Sequence, residues 1–189
     1  MLLATLFVPA ARAQRVPDGF AVQTLASGLH APVAFDFLPD GGVLYVEQLT
    51  GQVRLFREGT GVQPVAVLSV PDVVAGDERG LLGLALDPAF PDRRYLYVFS
   101  TVAAPNHIRI SRYTLVPDVD LMIGEVRADS ESRYDLVDDI PDQTPEHNGG
   151  TLRFGHDGLL YASIGEDGTP CAAQDSTSLR GVILRLRTN

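Results

Sequence analysis

Three stretches of the chain follow one plan, and that repetition restricts the available folds more than any other feature. The first is VAFDFLPDGGVLYVEQLTGQVRLF, from Val33 to Phe56. The second begins with LLGLALDPAFPDRRYLYVFSTV at Leu81 and closes with HIRISRYTL at Leu115. The third begins with TLRFGHDGLLYASIGEDG at Thr151 and closes with LRGVILRLR at Arg187. Each has an apolar strand, a turn around an aspartate and a strand carrying Leu-Tyr (Tyr45, Tyr97, Tyr161). A polar loop and a strand alternating apolar with basic residues then follow.

The turns and strands have a physical basis. Asp40-Gly41 and Asp157-Gly158 are expected to supply the left-handed positions of tight hairpins. VLYV, YLYV and LLYA are rich in β-branched and aromatic residues. VRLF, IRISRYTL and VILRLR alternate, so one face is buried and the other wet. No stretch has helical periodicity. Self-similar units of roughly 40–50 residues with three or four strands each indicate a β-propeller. The fold class expected is therefore all-β, with between two and three blades present. A propeller needs at least four blades to close, so the chain is expected to be the N-terminal fragment of a longer protein.

The N-terminus reads differently. LLATLFVP is apolar but too short to span a bilayer. The small residues Ala11 and Ala13 that follow fit a signal-peptidase site. Residues 1–13 are read as the remnant of an export signal, which places the protein in the periplasm or outside the cell. Residues 14–189 are read as the N-terminal blades of one propeller domain. Cys171 is the single cysteine; an odd cysteine in an exported chain leaves open a partner elsewhere or a free buried thiol. The net charge of −9 over 189 residues excludes a nucleic-acid partner, because nothing would neutralise a phosphate backbone.

Propeller topology also locates the site. Loops entering the innermost strand of each blade lie on one face, together with loops leaving the second strand. The entering loops carry His30, Glu78 and His147; the leaving loops carry Glu47-Gln48, Ser100-Thr101 and Glu166-Asp167. All are expected at one mouth of the channel. An imidazole there can act as a general base, its ordinary pKa lying near 6.5. Glu146 is the neighbour expected to orient His147, while Asn148, Gly149 and Gly150 let the backbone pass close to a ligand. Read from position alone, His147 is equally a surface histidine with no role. His107 is read as a surface residue. His156, in a hairpin turn at the opposite face, is given no role. GEDG and GDERG lack EF-hand spacing, and HNGG is not a phosphate loop.

Taken together, VPDGFAVQTLASGLHAPVAFDFLPDGGVLYVEQLTGQVRLF, ERGLLGLALDPAFPDRRYLYV, HNGGTLRFGHDGLLYASIGEDG and AQDSTSLRGVILRL resemble the soluble PQQ-dependent sugar dehydrogenases, the glucose/sorbosone dehydrogenase family. The resemblance covers nearly all of residues 16–187 and corresponds to the N-terminal part of a family member. It implies a six-bladed propeller that binds pyrroloquinoline quinone (PQQ) with Ca2+ at the channel mouth and oxidises aldoses to lactones. It implies that His147, preceded by the acidic Glu146, takes the proton of the anomeric hydroxyl while hydride passes to the quinone. It also implies cofactor-side roles for Glu78, Asn148 and Glu166. Position 78 is Gln in well-known members, so Glu78 adds a charge near an anionic cofactor. The residues that grip PQQ and the main Ca2+ ligands belong to later blades, and none is assigned in this chain. The partners implied are a sugar and an electron acceptor of unspecified kind, without a membrane span; a homodimer stays open. Two other functions remain in view: an extracellular binding module that has lost the cofactor, and a metal-dependent lactonase-type propeller using Glu47, Glu78 and Glu166.

Overall fold

The computed structural model describes residues 16–116 and 125–188. The export-signal reading of residues 1–13 lies outside the described residues. The strands form three antiparallel sheets, each a blade of a β-propeller. The first blade orders β1 (Pro32–Phe37), β2 (Val43–Glu47), β3 (Gln52–Arg57) and β4 (Gly61–Val62), with β5 (Leu68–Ser69) also paired to β3. The second orders β6 (Leu81–Leu86), β7 (Tyr95–Val102), β8 (His107–Leu115) and β9 (Ala128–Pro141). The third orders β10 (Gly149–Phe154), β11 (Leu160–Ile164) and β12 (Val182–Leu186). One 3-10 turn, Pro170–Gln174, lies between β11 and β12. Among the described residues, no helix is long and apolar enough to cross a membrane.

The hairpin turns depart from expectation in one detail. Gly41 and Gly158 take the left-handed conformation, at φ 87° and 74°, and the aspartates before them do not. Asp40 and Asp157 act through their side chains instead. Asp40 Oδ1 accepts the Gly42 N–H at 2.9 Å, and Asp157 Oδ1 accepts the Leu159 N–H at 3.1 Å. This is the local turn bond that short polar side chains make well.

Blades pack face to face through two apolar seams. Leu44, Val46, Val53 and Leu55 of the first blade meet Leu81, Leu84, Leu96 and Val98 of the second. Tyr97, Phe99, Ile108 and Ile110 of the second blade meet Leu152, Leu160, Ala162 and Ile164 of the third. β7 serves both seams: Leu96 and Val98 face one way, Tyr97 and Phe99 the other, and all four are fully buried. A strand buried on both faces has no polar side to show, which is why YLYVF reads as a continuous apolar run. Burying one such side chain contributes roughly 1.5–3 kcal/mol.

The innermost strands β1, β6 and β10 lie side by side, β6 between the other two. Each begins with a register shift: between Pro32 and Ala34, between Leu81 and Gly83, and between Gly149 and Leu152. A bulge at the same end of each inner strand re-aims the backbone where the entering loops arrive. The fourth strand of the second blade, β9, had no counterpart in the sequence reading. It runs ADSESRYDLVDDIP and is held to β8 through several register shifts. Cys171 is free and exposed, so the buried-thiol alternative does not hold.

Candidate functional site

Most of the positive-φ residues other than glycine lie in the loops entering the inner strands. Ala31, Asp77 and His147 all have positive φ, at 46°, 51° and 59°. Asp167, after β11, has φ 57°. Left-handed backbone in a residue with a side chain costs of order 1–3 kcal/mol and persists where surroundings over-determine it. These four residues mark one end of the sheets, the predicted mouth.

At that end His147 is surrounded by carboxylates from three loops. Its Nδ1 is bonded to Glu166 Oε1, and its backbone N–H donates to Glu78 Oε2 at 2.5 Å. A carboxylate accepts only, so Nδ1 carries the ring proton. Nε2 is left without a bonded partner among the described residues, and the side chain is 52% exposed. The hydrogen bond to Glu166, and next its charge, hold the His147 pKa above the ordinary histidine value; the charges of Glu78 and Glu146 add to this. The same bond holds Glu166 below the usual carboxylate range, helped by a backbone hydrogen bond. Such an arrangement can accept a proton at Nε2, with the ring oriented and made more basic from behind by a carboxylate.

The predicted residues divide on contact. His147, Glu166 and Glu78 come together. Glu146 is exposed, and the carboxylate on the ring is that of Glu166 instead; Glu146 contributes charge alone. Asn148 is 1% exposed and turned inward, its Nδ2 donating to Asp142 Oδ1 at 2.9 Å. Gly149 and Gly150 accommodate protein rather than ligand: a Cβ on Gly149 would lie 2.5 Å from the Ser163 carbonyl, and one on Gly150 2.6 Å from Leu82 Cβ. Ser100 and Thr101 are fully buried. Thr101 Oγ1 accepts the Gly80 N–H and donates to the Val74 carbonyl, both at 2.8 Å, so it secures the 74–80 loop. Glu47 is buried and accepts from Thr50 Oγ1 at 3.0 Å. Among the described residues, no three His, Cys, Asp or Glu side chains are grouped to hold a metal ion. His30 is exposed, beside Ala31, whose carbonyl accepts the Gln48 N–H at 3.1 Å. His156 sits in the turn at the far end of β10.

A buried polar frame that the sequence did not announce holds these loops. Arg79 grips Asp142 through Nε at 2.7 Å and through a second nitrogen at 3.1 Å, and Asp142 in turn holds Asn148. Asp167 accepts the Gln143 and Thr144 N–H groups at 2.9 and 2.8 Å, and pairs with Arg180 at 3.2 Å. Buried carboxylates survive when paired and hydrogen-bonded. Gln48 caps the opposite loop, its Nε2 donating to the Asp77 and Arg79 carbonyls at 3.0 Å. Gln48 and Asp167 lie in loops that the sequence already placed at this mouth, whereas Arg79 and Asp142 belong to no motif that singles them out.

A groove of about 450 Å³ runs along the inner strands, walled by Phe35, Gln48, Leu82, Gly150, Arg153 and Glu78, the acceptor of the His147 amide, among others; His147 itself is not part of its wall. Arg153 is the single cation among its lining residues.

Comparison with known proteins adds identity to this geometry. Residues 29–189 match the glucose/sorbosone dehydrogenase family. Quinoprotein glucose dehydrogenase B of Acinetobacter calcoaceticus is 29% identical over 85% of this chain and 34% of its own length. The aldose sugar dehydrogenase of Escherichia coli is 29% identical over 90% of this chain and 44% of its own length. The PQQ-bound form of aldose sugar dehydrogenase from Streptomyces coelicolor aligns with a TM-score of 0.76 at 30% identity, covering 88% of this chain and 47% of that one. The chain thus spans about a third to a half of the length of these relatives.

Proposed function

The chain belongs to the glucose/sorbosone dehydrogenase family, and from that premise we propose that it carries the proton-accepting part of a PQQ- and calcium-dependent aldose dehydrogenase. On this reading residues 14–189 are the N-terminal blades of a longer six-bladed propeller, exported by the signal in residues 1–13. The greater length of the relatives supports the longer propeller. The observation that carries the function is the His147–Glu166 pair, with Nε2 free at the mouth.

His147 Nε2 takes the proton of the sugar's anomeric hydroxyl. Glu166 keeps the proton on Nδ1, so Nε2 presents its lone pair, and stabilises the imidazolium that results. PQQ, when bound, supplies the sink for the hydride lost from the anomeric carbon. The described residues fit the sugar side of this chemistry and not a grip on an anionic quinone. Three carboxylates, Glu78, Glu146 and Glu166, bear on His147, and the groove offers Arg153 alone as a cation. The acidic rim suits a neutral polyol, which meets it with hydroxyl donors. Among the described residues no cluster of carboxylates offers a calcium site.

The test is reconstitution of the protein at its natural length with PQQ and Ca2+, following reduction of an artificial dye by a panel of aldoses. Dye reduction that requires both PQQ and sugar is the expected outcome. A folded, full-length protein that binds no PQQ would instead support the binding-module function.

A further inference from the structure

Glu78 stands apart from the other carboxylates at the mouth. It is exposed, yet it reaches across the seam between the second and third blades. Two loops far apart in sequence are laced together there. The Glu78 N–H donates to the Pro145 carbonyl at 3.2 Å, and the His147 N–H donates back to Glu78 Oε2 at 2.5 Å. Beneath them, Arg79 binds Asp142, and Asp142 holds Asn148. Residues 78 and 79 therefore secure residues 147 and 148 from a neighbouring blade.

The His147 N–H is the donor that most needs an acceptor. His147 is left-handed at φ 59° and lies just before the bulged start of β10. Its carbonyl already accepts the Asp167 N–H at 3.3 Å, and a Cβ on Gly165 would collide with that carbonyl. Its ring is fixed by Glu166. The amide is the remaining free end of the residue, and a carboxylate is the strongest acceptor a side chain can offer it.

We propose that Glu78 is a positioning residue for His147: its carboxylate, delivered from the neighbouring blade, fixes the backbone turn that aims the imidazole into the mouth. This rests on His147 being the base, and it divides the work between two carboxylates. Glu166 sets the ring; Glu78 sets the main chain and adds a second negative charge nearby. The groups facing His147 are then Glu166, Glu78 and Glu146, all negative. The charge of Glu78 favours the imidazolium, so removing it moves the imidazole's titration to lower pH, whereas removing the acceptor loosens the amide.

The experiment is histidine-labelled NMR of the full-length protein without cofactor, with the His147 signal assigned by its loss in His147→Gln. In Glu78→Gln, the titration midpoint of His147 falls, while hydrogen exchange of its amide stays slow because the glutamine oxygen still accepts. In Glu78→Ala, the midpoint falls and amide exchange quickens on the order of tenfold, the scale of one charge-assisted hydrogen bond partly exposed to water. An unchanged amide in Glu78→Ala overturns the proposal, even where the midpoint moves, because Glu78 would then act by charge alone. Glu166→Gln separates the two levels. If it leaves the His147 midpoint in place, the ring pair and the base reading fail, whatever Glu78 does.

Discussion

Among the described residues there are two histidine–carboxylate pairs, and only one of them leaves a ring nitrogen to work with. At the mouth, His147 gives Nδ1 to Glu166 and keeps Nε2 open. At the outer edge of the second blade, His107 is engaged on both sides. Its Nδ1 lies 2.6 Å from the Pro105 carbonyl and its Nε2 2.8 Å from Asp138 Oδ1. The same Asp138 oxygen also accepts from Arg109 Nε at 2.5 Å. His107, read from sequence as a plain surface residue, is thus a member of a charge network joining β8 to β9. The difference teaches that a histidine–carboxylate contact is not a catalytic signal. What distinguishes the mouth is the unfilled nitrogen on a solvent-exposed ring.

The sharpest way to break that comparison is to delete each imidazole in turn. His147→Ala in the full-length, reconstituted enzyme should lower kcat by roughly 10²–10⁴-fold, the usual contribution of a placed base, with little change in PQQ affinity. His107→Ala should leave the chemical step untouched and act on stability alone. Steady-state dye reduction measured on both variants decides it; equal losses would erase the distinction between the two pairs.

The next effect is smaller and concerns the orienting carboxylate. Glu166→Ala should cost about tenfold in turnover, the equivalent of one charge-assisted hydrogen bond at a half-exposed site. It should also move the acid limb of the kcat/KM profile. The limb should lie above pH 6.5 in the unaltered enzyme, because Glu166 first, and Glu78 and Glu146 less, raise the His147 pKa. A base must be neutral to accept a proton, so losing Glu166 shifts the limb down. A pH profile that stays in place would remove Glu166 from the role.

What the sequence disclosed and what it hid follows the same physical line. The three repeats were legible because β2 and β7 read as near-continuous apolar runs buried on both faces, β11 alternates, and hairpin glycines punctuate them. β9 was not legible: an edge strand facing water has no hydrophobic period to read, and ADSESRYDLVDDIP is held by side-chain bonds such as Ser111 to Asp135. The mouth was legible from topology, since entering loops must gather at one end. The partners of His147 were not. Adjacency in sequence favoured Glu146, but the left-handed turn at His147 and the bulge after it send neighbouring side chains different ways. The carboxylate that reaches the ring lies in the loop after β11, and the one that reaches the amide lies in another blade.

A fourth variant probes the outer pair from its carboxylate side. Asp138→Ala removes the acceptor of both Arg109 and His107 and leaves the largely buried guanidinium with the more distant Asp135, 4.0 Å away. Asp138 is itself 41% exposed, so screening brings the loss below the usual range for charged hydrogen bonds, to about 1 kcal/mol. Denaturant unfolding measures it. The expected result is a lower midpoint with an unchanged slope and unaltered catalysis.

The smallest effect is the way the two pairs answer to pH, and here they part in opposite directions. Hydrogen bonds from Arg109 and His107 hold the Asp138 pKa below the usual carboxylate range against the opposing effect of burial. A depressed folded pKa gives stability that is present above the unfolded value, near 3.9, and is lost as pH falls through the folded one. His147 is shifted upward. Its contribution is fully present below the unfolded value, near 6.5, and is lost as pH rises through the folded one. The outer pair therefore weakens in acid, and the histidine of the mouth pair stops contributing on the alkaline side. Unfolding midpoints compared between Asp138→Ala and its parent should separate above about pH 5 and converge as the pH falls below the ordinary carboxylate value. Midpoints compared between His147→Gln and its parent should differ most near pH 6 and converge as the pH is raised. A His147 difference that grew with pH would mean that the imidazole is held neutral in the fold, and the mouth pair would then be no base primed by Glu166.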